Sequence, residues 1–200
     1  MLNNKVRLLL YLFSLIMFVF LSSSCTKLRN RIEAQKMVNE WIGKEIKFPA
    51  DAQCCILGKD TVSTLCADLF QKEYKVMLYV DSSGCSDCRL KLSQWKQLIS
   101  ETDSLYQNRV GFVFFFQPKD MREMTYLFRR DEYNYPVFID KDNAIDKLNH
   151  FSQEMKYQCF LLDKDNKVLV LGNPMLNPQV WELYKERITE KNNLTTAYHR

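Results

Sequence analysis

The sequence predicts an α/β fold in which a central mixed sheet lies between layers of helices. Three observations carry that prediction. Residues 76–80 form a short apolar strand that passes, through the turn Ser82-Ser83-Gly84, into a segment of helical periodicity. Residues 110–116 are a run of seven in which only Gly111 is not strongly apolar, the pattern of a strand buried on both faces and so of a parallel sheet. Late in the chain, two short apolar runs at 159–162 and 168–171 flank the turn Asp163-Lys164-Asp165-Asn166, which is tight enough to make them an antiparallel hairpin.

The elements follow in order. Lys5 and Arg7 precede residues 8–21, where only Tyr11 and Ser14 carry polar side-chain atoms, and this reads as an export signal over 1–24. A helix of that apolar run spans about 21 Å, short of the roughly 30 Å hydrocarbon core of a bilayer. Residues 27–43 place Ala34, Met37, Val38 and Trp41 on one helical face and end at Gly43. Residues 44–64, with Ile46, Phe48 and Pro49 and then Cys54, Cys55, Ile56 and Leu57 before Gly58, read as strands joined by turns. Cys85 opens a helical segment in which Cys88, Leu92, Trp95, Ile99 and Thr102 recur at three- and four-residue steps. Met121, Met124, Leu127 and Phe128 form another helix face, residues 135–139 a strand and 145–151 a short helix. Asn177-Pro178 reads as an N-cap followed by proline at the first helical position, with Val180, Leu183, Tyr184 and Ile188 facing the core. The residues after Glu190 read as a solvated tail. The succession is a βαβ unit, an inserted strand and helix, and a closing ββα unit.

Composition bounds the function. With 200 residues, 46% hydrophobic and 26% charged, and five Gly and five Pro, the chain is an ordinary globular domain rather than a disordered or collagenous one. Removal of residues 1–24 leaves 176, enough to bury roughly 70% of the unfolded surface in one core. The formal charge of +4 falls to +2 without Lys5 and Arg7, too weak and too scattered to argue for nucleic acid. Seven cysteines are many for this length and direct attention to thiol chemistry. The two histidines, His150 and His199, have no metal-ligand spacing to the cysteines, so no metal site is expected.

Cys85-Ser86-Asp87-Cys88 falls where a buried strand gives way to a helix. The unpaired N–H groups and dipole of a helix N-terminus stabilise an anion, so Cys85 is suited to be the nucleophilic thiolate. Cys88, one helical turn on, is placed to resolve a mixed disulfide. Such exchange needs no bound cofactor. Asp87 between the two disfavours a second negative charge nearby and opposes the dipole, which points to a more reducing pair.

The run Lys75-Val76-Met77-Leu78-Tyr79-Val80-Asp81-Ser82-Ser83-Gly84-Cys85-Ser86-Asp87-Cys88 resembles the strand and active-site turn of the thioredoxin-like superfamily. Tyr135-Pro136-Val137-Phe138-Ile139-Asp140 resembles the inserted strand of its membrane-tethered, periplasmic thiol–disulfide oxidoreductase branch. Residues 160–168 resemble the hairpin that follows. The likeness covers about 74–190 and extends to an uncharacterised group of bacterial lipoproteins with this layout. It implies a thioredoxin-like three-layer sandwich at 74–190, an N-terminal extension at 44–73 and a flexible tail at 191–200. Ser22-Ser23-Ser24-Cys25 resembles a lipobox, with Ser22 where a leucine is usual. That implies lipidation of Cys25, with 25–43 as lipidated N-terminus and tether helix, and a periplasm-facing location on the inner or outer membrane.

Three departures from the thioredoxin pattern stand out. Gly84 replaces the usual aromatic before the first cysteine. Tyr157 stands where these enzymes place a cis-proline facing the dithiol, and a non-proline cis bond costs about 2.5–4 kcal/mol, so a trans bond is expected there. Tyr79 stands where thioredoxins bury a carboxylate, which leaves Asp81 or Asp87 as internal proton acceptor. A peroxiredoxin would have threonine three residues before its reactive cysteine; Ser82 is there instead.

Of the remaining cysteines, Cys54 or Cys55 is able to pair with Cys66, since a bond between adjacent cysteines is strained, and buried free thiols are the alternative. Cys159 reads as a buried strand cysteine. The expected partners are protein thiols and disulfides of the cell envelope, the membrane through the N-terminal lipid, and a membrane or soluble electron donor. The competing reading is a redox-inactive thioredoxin-fold lipoprotein that serves as a binding or scaffold module.

Overall fold

The computed structural model describes residues 28–52, 54–57, 61–62, 66–82 and 90–197. Helix α1 covers 28–41, and the chain divides at its end into two units, residues 1–40 and 41–200. In the first, Ala34, Met37 and Val38 are half-buried while Leu28 and Ile32 are exposed. In the second, Gly43 follows the helix in the left-handed region (φ 79°), which only glycine adopts without strain. Its N–H donates to Val168 O (2.9 Å).

Among the described residues, seven strands form one sheet in the order β2-β1-β5-β4-β3-β6-β7. They are β1 (Cys54–Ile56), β2 (Thr61–Val62), β3 (Tyr74–Val80), β4 (Val110–Phe116), β5 (Val137–Ile139), β6 (Cys159–Leu162) and β7 (Val168–Leu171). The helices between and after them are α2 (Cys66–Phe70), α3 (Leu92–Tyr106), α4 (Met121–Arg130), α5 (Ala144–Asn149) and α6 (Pro178–Ala197). Strands β3, β4 and β5 are parallel, whereas β6 pairs antiparallel with β3 and β7 with β6. This is the α/β, thioredoxin-like arrangement, with β5 and α5 as the insert and β1, β2 and α2 as the N-terminal extension. β1 extends the sheet through antiparallel pairs with β5, Cys54 opposite Phe138 and Cys55 opposite Val137.

Every residue of β3 and β4 is buried, as two covered faces require. On one face Val76, Leu78, Val80, Phe112, Phe114 and Phe116 meet α3, α4 and α6. Trp95 of α3 packs on Phe114 (centroids 4.9 Å apart) and Phe128 of α4 on Phe116 (5.5 Å). The opposite face is aromatic: Trp41 meets Phe160 (5.0 Å), Tyr79 meets Phe151 (5.1 Å), and Phe48 and Phe70 meet Phe115 and Phe138 (5.9 and 5.3 Å). The extension therefore supplies part of the second layer. Asn149, the buried last residue of α5, ties it down by accepting from Lys47 N (2.9 Å) and donating to Lys47 O (2.8 Å). Gly111 is needed in its apolar run because a Cβ there would lie 2.8 Å from Leu69 O.

The caps follow the sequence. Asp120 caps α4 by accepting from Arg122 N (2.7 Å), and Asn177 Oδ1 accepts from Gln179 N (3.1 Å) ahead of α6. Several boundaries differ from expectation. α2 follows the segment 44–64 read as strands and turns, in residues where the sequence predicts no element. β5 starts at Val137 because Pro136 has no N–H to give a ladder. α5 stops at Asn149, where His150 turns left-handed (φ 58°). α6 stays helical to Ala197, beyond the expected start of a tail at 191, as nothing from Gln179 onward carries a breaking Gly or Pro.

Candidate redox site

The expected dithiol, Cys85 and Cys88, lies outside the described residues, as do Asp87 and Cys25. The structure describes the elements on either side of Cys85 and Cys88 in the chain. Val80 pairs with Phe116, and Phe116 with Ile139, so the carboxyl ends of β3, β4 and β5 lie side by side. Gln117 N donates to Val80 O and Asp140 N to Phe116 O (both 2.9 Å), which prolongs the ladder at this end. Leu90 is helical and α3 runs from Leu92, with Lys91 left-handed (φ 50°) between them; the start of the helical segment expected from Cys85 lies outside the described residues. Lys91 is held there by its Nζ donating to Met175 O (2.7 Å), and its own carbonyl accepts from Gln94 N and Trp95 N. Leu92, Trp95, Ile99 and Thr102 then form the expected buried face, joined by Leu98.

Tyr157, at the position where the resemblance implies a cis-proline, ends a 3-10 turn (Met155–Tyr157) and is only 7% exposed. No cis peptide occurs among the described residues, so the bond preceding it is trans, as expected. The next residue, Gln158, is buried and fully engaged. Its N–H donates to Met155 O (3.2 Å) and its carbonyl accepts from Tyr79 N (2.9 Å). Its side-chain Nε2 donates to Asp81 Oδ2 (3.0 Å) and to Ser152 O (2.9 Å). Asp81, half-buried just beyond β3, is thus tied to the turn before β6. Sequence reasoning passed over Gln158; the one signal was a polar side chain next to an expected strand.

Tyr79 is buried and donates its hydroxyl to Asn143 Oδ1 (2.7 Å), which in turn donates from Nδ2 to Asp146 (3.1 Å). Burial first, and then the carboxylates of Asp146, Asp81 and Asp140, hold its phenol far above the ordinary range. Tyr79 is therefore a neutral donor and no proton acceptor at physiological pH, which leaves that role to carboxylates such as Asp81.

The other cysteines separate cleanly. Cys54 and Cys66 form a disulfide with Cα atoms 6.3 Å apart, joining β1 to α2. Strand alternation explains why Cys54 rather than Cys55 is the partner. Cys54, opposite Phe138, shares the face on which Phe70 of α2 packs, whereas Cys55, opposite Val137, points to the other side. Cys55 stays a free, half-buried thiol whose pKa burial raises. Cys159 is fully buried in β6, its Sγ 3.6 Å from Tyr184 Oη, while that hydroxyl donates to Gly172 O (2.9 Å). Burial pushes the Cys159 thiol up to about 12, against smaller opposing pulls from Tyr184 and the Phe160 backbone. Such a thiol stays protonated and unreactive at neutral pH.

No family model and no curated protein matches the chain. Among solved structures it is similar to the C-terminal domain of a putative thiol-disulfide oxidoreductase from Bacteroides thetaiotaomicron, at 17% identity over 72% of this chain and 97% of that one, with a TM-score of 0.47. It is also similar to the thioredoxin domain of a thiol-disulfide oxidoreductase from Bacteroides vulgatus, at 15% identity over 72% and 97%, with a TM-score of 0.49. A peroxidoxin from Mycobacterium tuberculosis is alike at 15% identity over 72% and 96%, with a TM-score of 0.48. At these identities and scores the likenesses extend to neither activity nor mechanism.

Proposed function

We propose that this chain is a thiol–disulfide oxidoreductase of the bacterial cell envelope, held to a membrane by lipid on Cys25 and working through Cys85 and Cys88. The observation that carries the reading is the place of the C-x-x-C stretch in the chain: it joins β3, the buried central strand, to α3. In the reductive direction the Cys85 thiolate attacks a substrate disulfide, forming a Cys85–substrate mixed disulfide and releasing one substrate thiolate, which takes up a proton. Cys88, deprotonated by a nearby carboxylate, then attacks the Cys85 sulfur. The Cys85–Cys88 disulfide forms, and the second substrate sulfur leaves as a thiolate that recovers the proton. An envelope electron donor must return two electrons for another turnover. Asp81, anchored by Gln158, and Asp87 are the carboxylates close enough in sequence to serve as proton acceptor.

Cys88→Ser is expected to trap mixed disulfides with envelope proteins through Cys85, and Cys85→Ser to abolish exchange without changing the fold. A trapping experiment that yields no adduct counts against catalysis. The closed turn at Tyr157 favours the second reading, a redox-inactive scaffold lipoprotein, because it occupies the edge where substrates of thioredoxin-like enzymes are expected to dock. Under that reading Cys85→Ser leaves the cellular role intact.

A further inference from the structure

The carboxyl end of β3, from which the chain runs on to Cys85, is flanked by two quite different surfaces. On the β6 side, the N–H and carbonyl of Gln158 are both spent inside the protein and Tyr157 is buried, so little backbone is left for an extended substrate to pair with. On the β4–β5 side lies a cleft of about 510 Å³, within the size range of ligand-binding clefts. Ile139 and Met121, half-buried beside the buried rings of Phe115 and Phe138, supply its apolar wall, while the exposed Asp51 and Asp142 set two carboxylates against the single ammonium of Lys141; the buried Asp140 carboxylate is taken up in accepting from Ala144 N and Ile145 N. Ile139 and Val80 both pair with the level of Phe116, so the cleft wall lies two strand spacings, roughly 10 Å, from the end of β3. Three residues of extended polypeptide cover that distance.

Resting on the oxidoreductase reading above, we propose that this cleft is the substrate-docking site, and that its ligand is a cysteine-bearing segment of an unfolded protein with a bulky apolar side chain flanked by Lys or Arg. The apolar side chain packs on Ile139 and Met121, where burial of its surface supplies the attraction. The flanking cations face Asp51 and Asp142, both exposed, which favours encounter and sets the charge preference. The cysteine of such a segment, a few residues away, reaches the end of β3, from which the sequence runs on to Cys85.

The test compares disulfide peptides that differ only in their flanks, with Leu-Cys-Leu set between lysines or between glutamates, on the full-length chain in detergent micelles. The small uncharged disulfide of 2-mercaptoethanol serves as reference. We expect kcat/KM for the lysine peptide to exceed that for the glutamate peptide by about tenfold at low salt, the size two exposed ion pairs give, and the gap to narrow at 0.5 M salt. The variant carrying Asp51→Lys and Asp142→Lys is expected to invert the preference and leave the small disulfide unaffected. Equal rates for the two peptides, or a preference the double variant does not move, overturn the cleft. If no disulfide is exchanged at all, the oxidoreductase reading falls, and fluorescence anisotropy of labelled peptides judges the cleft alone. Binding that favours the lysine peptide and is lost in the double variant sustains the cleft; absence of such binding overturns it.

Discussion

Cys159 makes stability depend on alkaline pH in a way that can be isolated. In the folded protein its thiol is pushed up to about 12 by complete burial, from an ordinary value of 9.0. In the unfolded chain it ionises at the ordinary value. Between these two pH values the unfolded state has released a proton that the folded state still holds, so stability falls as pH rises. The contribution is fully present below about pH 9 and is lost as pH climbs toward 12, at up to about 1.4 kcal/mol per pH unit, or roughly 4 kcal/mol across the window. Cys159→Val removes the titration while filling a similar volume, and it leaves Tyr184 Oη donating to Gly172 O. Urea unfolding of both proteins from pH 7 to 10.5 reads the difference, since burial, the first cause that raises the Tyr184 phenol, is present in both. The wild type is expected to lose about 1–2 kcal/mol more than Cys159→Val over that range. Parallel curves would refute the claim that burial holds this thiol protonated.

Other perturbations test the frame of the site. Loss of the Cys54–Cys66 bond in Cys66→Ser opens a loop of 12-residue separation and is expected to cost about 3 kcal/mol in chemical denaturation. In Cys54→Ser, disulfide mapping is expected to find no Cys55–Cys66 bond, because Cys55 sits on the far face of β1. Gln158→Leu withdraws the donor from Asp81 and from Ser152 O and is expected to cost about 2 kcal/mol. Gln158→Glu sets a second carboxylate against Asp81, so its loss at pH 7 is expected to shrink at pH 4, as read by thermal melts. Gly111→Ala drives a methyl group to 2.8 Å from Leu69 O and is expected to destabilise by about 1–3 kcal/mol.

Much of the architecture is legible because burial leaves a periodic mark. The run Val110–Phe116 reads as a central strand because only a sheet covered on both faces makes every position apolar. The β6–β7 hairpin and the start of α6 read correctly because Asp163-Lys164-Asp165-Asn166 and Asn177-Pro178 act through local chemistry. What stayed hidden depends on tertiary partners. α2 is five residues long, too short for a helical period to show, and its place is fixed by Phe70 and the disulfide. Lys91 adopts positive φ without being Gly or Asn, and only the distant Met175 carbonyl explains why it is held there. The choice between Cys54 and Cys55 rests on register, which flips every side chain when it shifts by one. At the site, Asp81 was legible as a candidate carboxylate, while its anchor Gln158 was not, because the bond spans 77 residues.

The central claim is that Cys85 and Cys88 form a working redox pair, and an equilibrium titration tests it most directly. The full-length protein is poised in defined thiol/disulfide buffers and the Cys85–Cys88 bond is quantified by mass. The account predicts a reversible two-electron transition within the roughly −180 to −270 mV range of known oxidoreductases, toward its reducing end because of Asp87. A bond that stays closed below about −300 mV would contradict it and mark the pair as a structural staple.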